Sequence, residues 1–192
     1  MSGRFRLVLA LAGAVAVLAL VAALVAWWLH RRAGGPGDVE AGGPGATVEV
    51  EVDLYFPGEG TSLARERRRM RVPEDAEGRL LALAQAVLGG PRSPSLLAPL
   101  PSGVEARGVY LTAGGDAYLD LITAEEGAPP PSGGSTAEML RVYSLVNSLA
   151  LNEPRARRVA LVWNGVQRET FSGHLDTSRP LAPHPGLVER RR

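Results

Sequence analysis

Apolar residues are distributed along the chain in three patterns, and the first is a long uninterrupted run. Residues 7–29 contain no charged residue and no Pro. A helix of this length spans roughly 35 Å, enough for a hydrocarbon core of ~30 Å. Because Trp27 and Trp28 are followed by two Arg residues, as at a membrane interface, the run predicts an uncleaved signal-anchor over residues 1–32. The competing interpretation is a cleaved signal peptide, which usually has a shorter apolar run and a small-residue cleavage site.

A segment rich in Gly and Pro, residues 33–46, follows the apolar run. Such a composition cannot bury a core and is typical of a flexible tether. The sequence therefore predicts a globular domain over residues 47–182. We expect residues 183–192, which end in three Arg residues, to form a basic disordered tail.

The second pattern alternates with a period of two and indicates strands. Apolar residues from residue 48 to residue 56 alternate with Glu49, Glu51, Asp53 and Tyr55, and a Pro-Gly turn follows. Beyond the turn the alternating residues are Arg65, Arg67 and Arg69. An antiparallel hairpin with an even sum of opposed residue numbers places these arginines beside Glu49, Glu51 and Asp53. The arginine run therefore has a structural explanation, and the alternative is a polyanion-binding stripe, which normally lacks opposing acids.

The third pattern has helical spacing and predicts two helices, over residues 75–88 and from Ser135 to Ala150. Ser135 followed by Glu138 has the spacing of a capping box. Further strands are expected at 104–111, 116–122 and 158–164. The order β-β-α-β-β-α-β predicts an α+β fold, with two helices packed on one face of a mixed, mostly antiparallel sheet.

The composition excludes several kinds of reactive or cross-linked site. All 21 basic residues are Arg, and Cys is absent, so Schiff-base lysines, thiol nucleophiles, disulfides and lipidated cysteines are excluded. The net charge of +1 argues against a nucleic-acid partner. With only three His residues, a multi-histidine metal site is also disfavoured.

Two groups of polar residues are candidates for chemistry. His174 lies two positions before Asp176, which suggests a hydrolase dyad or half of a metal site, but no GxSxG or HExxH motif accompanies it. A structural role in closing the C-terminal turn is the preferred interpretation. Asn147, beside an apolar helix face, is expected to hydrogen-bond a neighbouring loop rather than a ligand. We therefore predict no catalytic residue, no cofactor and no metal.

The region from about Val48 to Asp176 resembles the GerMN domain family of sporulation and spore-germination proteins. No single motif is diagnostic, but order and spacing agree over some two-thirds of the chain. The matching segments are Val52–Pro57, Leu88–Pro91, Leu100–Val104, Asp116–Leu121, Tyr143–Leu149, Asn164–Gly165 and Gly173–Asp176.

The resemblance implies a non-catalytic domain related to ring-building modules of the bacterial cell envelope. Family members are typically exported and held at the outer face of a membrane, often as lipoproteins, whereas this chain has no Cys and offers an apolar anchor instead. The expected function is a single-pass, membrane-tethered module that contacts itself or protein partners outside the cytoplasm. Arg65, Arg67 and Arg69 are its candidate contact residues. The alternative is a module that binds a cell-wall ligand such as peptidoglycan, a peptide or an anionic glycan.

Overall fold

The computed structural model of the protein describes residues 45–125 and 127–189. The predicted membrane helix, nearly all of the predicted linker and the three C-terminal Arg residues lie outside these ranges. Within them, no helix combines the length and the apolar character needed to cross a bilayer.

The described chain runs through strands and helices in an order that confirms the predicted α+β class. The elements are β1 Thr47–Pro57, β2 Leu63–Pro73, α1 Ala76–Leu88, β3 Val104–Leu111, β4 Asp116–Thr123, α2 Ser135–Ala150, β5 Arg158–Trp163 and β6 Val166–Gln167. The strands form two sheets, β1-β2 and β3-β4-β5-β6, where the sequence suggested one. Strands β4 and β5 run parallel because α2 connects them, and the other neighbouring strands pair antiparallel.

The β1-β2 hairpin has the predicted register. Thr47 lies opposite Pro73, and Glu51 lies opposite Arg69. Even-numbered residues face the core, where Leu54 and Phe56 are fully buried, whereas the charged odd-numbered residues face outward. Period-two patterning thus decides which face of the hairpin packs.

Both helices bury an apolar face in one core. Asp75 caps α1, because its carboxylate accepts a hydrogen bond from the Gly78 N–H at 2.7 Å. Helix α1 buries Leu80 and Leu83, and α2 buries Leu145 and Leu149. These residues join the apolar faces of both sheets in a single cluster.

The start of α2 differs from the predicted capping box. The N-cap is Gly134, and no side chain donates or accepts a capping hydrogen bond there. Glu138 instead turns into the interior, where it is fully buried. The reason is that the loop at 172–175 offers this carboxylate more hydrogen-bond donors than the helix end does.

The chain after residue 182 packs on the domain, so the prediction of a disordered tail is wrong for residues 183–189. The Glu189 N–H donates to the Leu63 carbonyl at 2.9 Å, and Val188 forms a parallel bridge with Leu63. Leu187 and Val188 also cover a small apolar cluster that includes Leu140. Burial of these side chains stabilises the segment, although its composition alone resembles a tail.

We expect the C-terminal segment to contribute measurably to stability. A fragment covering residues 45–189 should fold without detergent, whereas one ending at Ala182 exposes Leu63 and Leu140. The shorter fragment should lose about 2–4 kcal/mol of unfolding free energy from apolar exposure and broken hydrogen bonds. Urea denaturation of the two fragments measures the difference, and equal stabilities would show that residues 183–189 are dispensable.

Candidate interaction site

The outward face of the β1-β2 hairpin carries alternating charges of both signs. Arg65 Nη1 lies 3.2 Å from one Asp53 carboxylate oxygen, and Arg67 Nε lies 3.0 Å from the other. Arg69 is farther from its acids, at 3.9 Å from Glu49 and 3.6 Å from Glu51. The three predicted contact arginines therefore lie together on one exposed face, with Arg69 held most loosely.

Polar side chains of α2 and the residues after it occupy part of the outer edge of β1. The Tyr55 N–H donates to Ser148 Oγ at 2.9 Å, and Ser144 Oγ donates to the Tyr55 carbonyl at 2.8 Å. The Asn152 side chain accepts a hydrogen bond from the Asp53 N–H and donates one to the Asp53 carbonyl. Because Ser144, Ser148 and Asn152 are four positions apart, they share one side of the chain and satisfy this edge in place of another strand. This part of β1 is therefore not available for pairing with the second sheet.

The same contacts on β1 indicate in which direction the backbone N–H and C=O groups of β2 point. Since Asp53 and Tyr55 point their N–H and C=O groups away from β2, the residues opposite them point theirs away from β1. The outer edge of β2 thus presents the backbone of Arg65, Arg67, Arg69 and Arg71. Within the described ranges, no residue forms a backbone hydrogen bond to these four positions.

A buried carboxylate holds the loop between β6 and the C-terminal segment. Glu138 accepts hydrogen bonds from the N–H groups of Ser172, His174 and Leu175 at 2.7, 2.8 and 3.1 Å. The His174 ring adds a contact from Nδ1 at 2.9 Å. Burial alone would raise the pKa of Glu138, but these hydrogen bonds outweigh it, and the pKa lies below its ordinary value.

His174 and Asp176 do not form the pair that the sequence suggested as one possibility. His174 contacts Glu138, whereas Asp176 accepts hydrogen bonds from Ser178 Oγ and N–H, which lower the pKa of Asp176. The hydroxyl of Ser172 is nearby in sequence, but it is buried and has no hydrogen-bond partner. A Glu-His pair without an accessible nucleophile bonded to the imidazole lacks the geometry of a catalytic triad.

Asn147 has the role expected of a buried amide. Its side-chain oxygen accepts from the His184 N–H at 2.8 Å, and its nitrogen donates to the His184 carbonyl at 3.2 Å. The Tyr143 ring meets the His184 ring edge-on, with centroids 5.6 Å apart. Asn147 therefore fastens the C-terminal segment to α2.

Asp116 and Asp120 share a face of β4 but are not a carboxylate pair. Arg158 forms two hydrogen bonds with Asp116, at 2.7 and 3.1 Å, and Arg107 binds Asp120. Each carboxylate is thus neutralised by its own arginine. This arrangement favours a structural role for both residues.

Arg68 is a buried charge that the sequence analysis missed. It donates to Glu66 at 2.6 Å and to the carbonyls of Ala86 and Gly90 at 3.2 and 2.8 Å, and it lies over the Phe56 ring. The sequence does indicate this burial, because Arg68 occupies an even-numbered position on the apolar face of β2. Burial would raise the pKa of Glu66, yet hydrogen bonds from Ser93, Arg68 and Arg92 lower it.

An open cleft of about 460 Å³ lies where the C-terminal segment crosses the hairpin. Its polar walls are Tyr55, Arg65 and Glu189, and Leu151, Pro185 and Val188 contribute apolar surface. Burial raises the pKa of Tyr55, with a smaller contribution from Asp53. Among the described residues, no group of three or more His, Asp or Glu side chains could hold a metal ion.

Replacing His174 with Ala is expected to have a small effect on stability. The change removes one partly exposed hydrogen bond to Glu138, while the three backbone donors remain, so the loss should be about 1 kcal/mol. Thermal or urea unfolding measures this value. A loss several times larger would indicate that the imidazole, rather than the backbone, holds the loop.

Comparisons with known proteins identify relatives of this fold. The family model described as "Germane: Sporulation and spore germination" matches residues 53–169. No curated protein matches the sequence. A candidate lipoprotein from Clostridium perfringens is 18% identical, with a TM-score of 0.50 over 70% of this chain and 87% of that chain.

A second solved structure contains the tandem GerMN domains of the sporulation protein GerM from Bacillus subtilis. It is 20% identical, with a TM-score of 0.53, and the match covers 70% of this chain and 46% of that chain. At these identities the two structures support the fold and not a shared ligand or partner.

Proposed function

The chain belongs to the Germane family of sporulation and spore germination domains, the GerMN type, and on this basis we propose that it is a non-catalytic contact module of the bacterial envelope. In this proposal the N-terminal apolar run tethers the domain to the membrane, and the domain lies outside the cytoplasm. It acts by binding protein partners or further copies of itself.

The β1-β2 hairpin is the single observation that carries the proposal. It forms a sheet of its own, one face exposes charged side chains, and on the outer edge of β2 no described residue forms a backbone hydrogen bond to the positions from Arg65 to Arg71. Exposed strand edges are used in proteins to recruit further chains. The buried carboxylates, by contrast, are engaged by internal hydrogen bonds, which suits a structural role better than acid-base chemistry.

Site-specific cross-linking in intact cells tests this function. A photoreactive residue is placed at position 69 or 71 in the hairpin, and at position 158 on the second sheet as the matched control. We expect higher-mass adducts from the hairpin positions and few from position 158. Adducts confined to the control position, or none at any position on the domain, would contradict a contact function of the hairpin.

The proposed location has its own test. Protease added to intact spheroplasts should digest the domain, because the resemblance to exported proteins implies that residues after Arg32 lie outside the membrane. Protein labelled at the C-terminus and detected by blotting measures the digestion. Complete protection until lysis would place the domain in the cytoplasm.

The cleft beside Arg65 supports a second candidate function, binding of a small extracytoplasmic ligand. Its walls combine a cation, a phenol and apolar surface, as ligand sites often do. Cell-wall fragments or peptides should then shift the fluorescence or NMR signals of Tyr55. A domain that binds such ligands while its hairpin forms no cross-links would favour this alternative over the contact module.

A further inference from the structure

We propose that the β2 edge, defined as the outer edge of β2 from Arg65 to Arg71, receives an extended acidic segment of a partner protein as an added strand. The inference rests on the proposed contact function and names the chemistry of the partner. It follows from the backbone direction, the side-chain charges and the neighbouring C-terminal segment.

The backbone of the β2 edge is arranged as a strand-pairing template. Odd-numbered residues from Arg65 to Arg71 direct both N–H and C=O away from β1, and all four residues are exposed. A regular row of such groups is what an added strand needs, because every second residue of that strand finds both a donor and an acceptor at the ladder spacing.

The C-terminal segment pairs with Leu63, the outward-facing position just before this row. Val188 forms a parallel bridge with Leu63, and the Glu189 N–H donates to the Leu63 carbonyl. The edge is therefore sterically able to accept another chain. The four arginines begin immediately beyond this contact, so an incoming segment would continue the pairing that the protein itself starts.

The side chains select for an acidic partner. Arg65 and Arg67 share the single carboxylate of Asp53, and the acids near Arg69 are 3.6 Å or more away. Arg71 forms no ion pair with a described residue. The acids within 4 Å of these arginines lie on β1, and Glu189, at the beginning of the edge, bonds Ser62 instead. The free side of β2 from Arg67 to Arg71 is therefore positively charged, and Glu or Asp side chains of a neighbouring strand would meet it favourably.

The same charges disfavour symmetric pairing between two copies. Two β2 edges placed together would oppose Arg with Arg, which is destabilising in a cross-strand pair. The β1 edge of a second copy is acidic, but α2 and Asn152 occupy it at Asp53 and Tyr55, and only residues 47–51 remain. An acidic strand from a different protein therefore fits the edge better than a second copy.

The test uses a fluorescent peptide of alternating Thr and Glu and the full chain in detergent. We expect saturable binding by fluorescence anisotropy. Arg69→Glu combined with Arg71→Glu should weaken it by at least about tenfold, since like charges then face each other. The control Arg168→Glu, a reversal at an exposed position after β6 that forms no ion pair with a described residue, should leave binding unchanged. The same peptide with Gln in place of Glu should bind weakly.

Backbone methylation of the peptide separates strand addition from simple charge attraction. Successive N–H groups of a strand face opposite sides, so methylating every Glu nitrogen or every Thr nitrogen blocks only one side. We expect one methylated peptide to lose binding and the other to retain it. Loss with methylated Glu indicates antiparallel addition, and loss with methylated Thr indicates parallel addition.

Equal affinity of the two methylated peptides, whether both bind or neither binds, overturns the inference. Absence of binding by the parent peptide also overturns it and favours the view that the arginines only protect the edge from aggregation. If the hairpin still forms cross-links in cells, the contact function stands and only strand addition fails.

Discussion

Replacing Glu138 with Gln is expected to lower the free energy of unfolding by about 2–3 kcal/mol, because the buried carboxylate accepts hydrogen bonds from three backbone N–H donors. An amide keeps one acceptor oxygen for the Ser172 and Leu175 donors but turns an NH₂ group toward the His174 N–H, which then has no partner. Urea denaturation of the fragment 45–189 measures the change. The matched control Glu169→Gln, at an exposed position, should change stability by less than about 0.5 kcal/mol.

The same carboxylate makes stability depend on acid pH. The pKa of Glu138 is lower in the folded protein than its ordinary value of 4.5, and so are those of Glu66 and Glu153. Their stabilising contribution is therefore complete above about pH 4.5 and is lost as the pH falls through the folded pKa values. Glu138→Gln should show a shallower decline below pH 4.5 than the unmodified protein. An identical decline would show that Glu138 is not linked to folding.

Replacing Arg68 with Met is expected to cost about 3–4 kcal/mol, since it leaves the Glu66 carboxylate without its cation and frees two carbonyls. Arg69→Met, one residue along on the exposed face, is the matched control and should cost about 0.5 kcal/mol or less. Equilibrium denaturation of the two variants measures both values.

A double variant identifies the cause of the Arg68 effect. Adding Glu66→Met to Arg68→Met removes the orphaned charge, so part of the lost stability should return. The Arg92 and Ser93 N–H groups, which bond Glu66, keep the recovery incomplete. A double variant that is less stable than Arg68→Met alone would mean that the hydrogen bonds from Arg92 and Ser93 to Glu66, rather than its unpaired charge, dominate at this site.

The sequence was sufficient to predict the elements whose periodicity is strong. The alternating charges in β1 and β2 specify the face and the register of the hairpin, because a shift by one residue would bury Glu51 and Asp53. The apolar faces of α1 and α2 are equally clear. The family resemblance is also confirmed by the match over residues 53–169.

The contacts between distant segments could not be predicted, because each depends on tertiary structure. Glu138 has the spacing of a capping residue, and only the fold brings the loop at 172–175 to it. Occupation of the β1 edge depends on Ser148 and Asn152 reaching residues that lie 93 and 99 positions earlier in the chain. The C-terminal segment has the composition of a tail, and its order comes from the apolar surface that it covers.

The central claim is that the domain works by contact through the hairpin rather than by chemistry at His174. The most direct measurement is complementation of a strain that lacks the gene, using His174→Ala and the double variant Arg67→Glu with Arg69→Glu, each first shown to be folded and membrane-bound. We predict that His174→Ala restores the function and that the charge-reversed hairpin does not. A stable His174→Ala protein that fails to complement, together with a fully active charge-reversed hairpin, would contradict the claim. That result would favour a functional role for the Glu138-His174 pair.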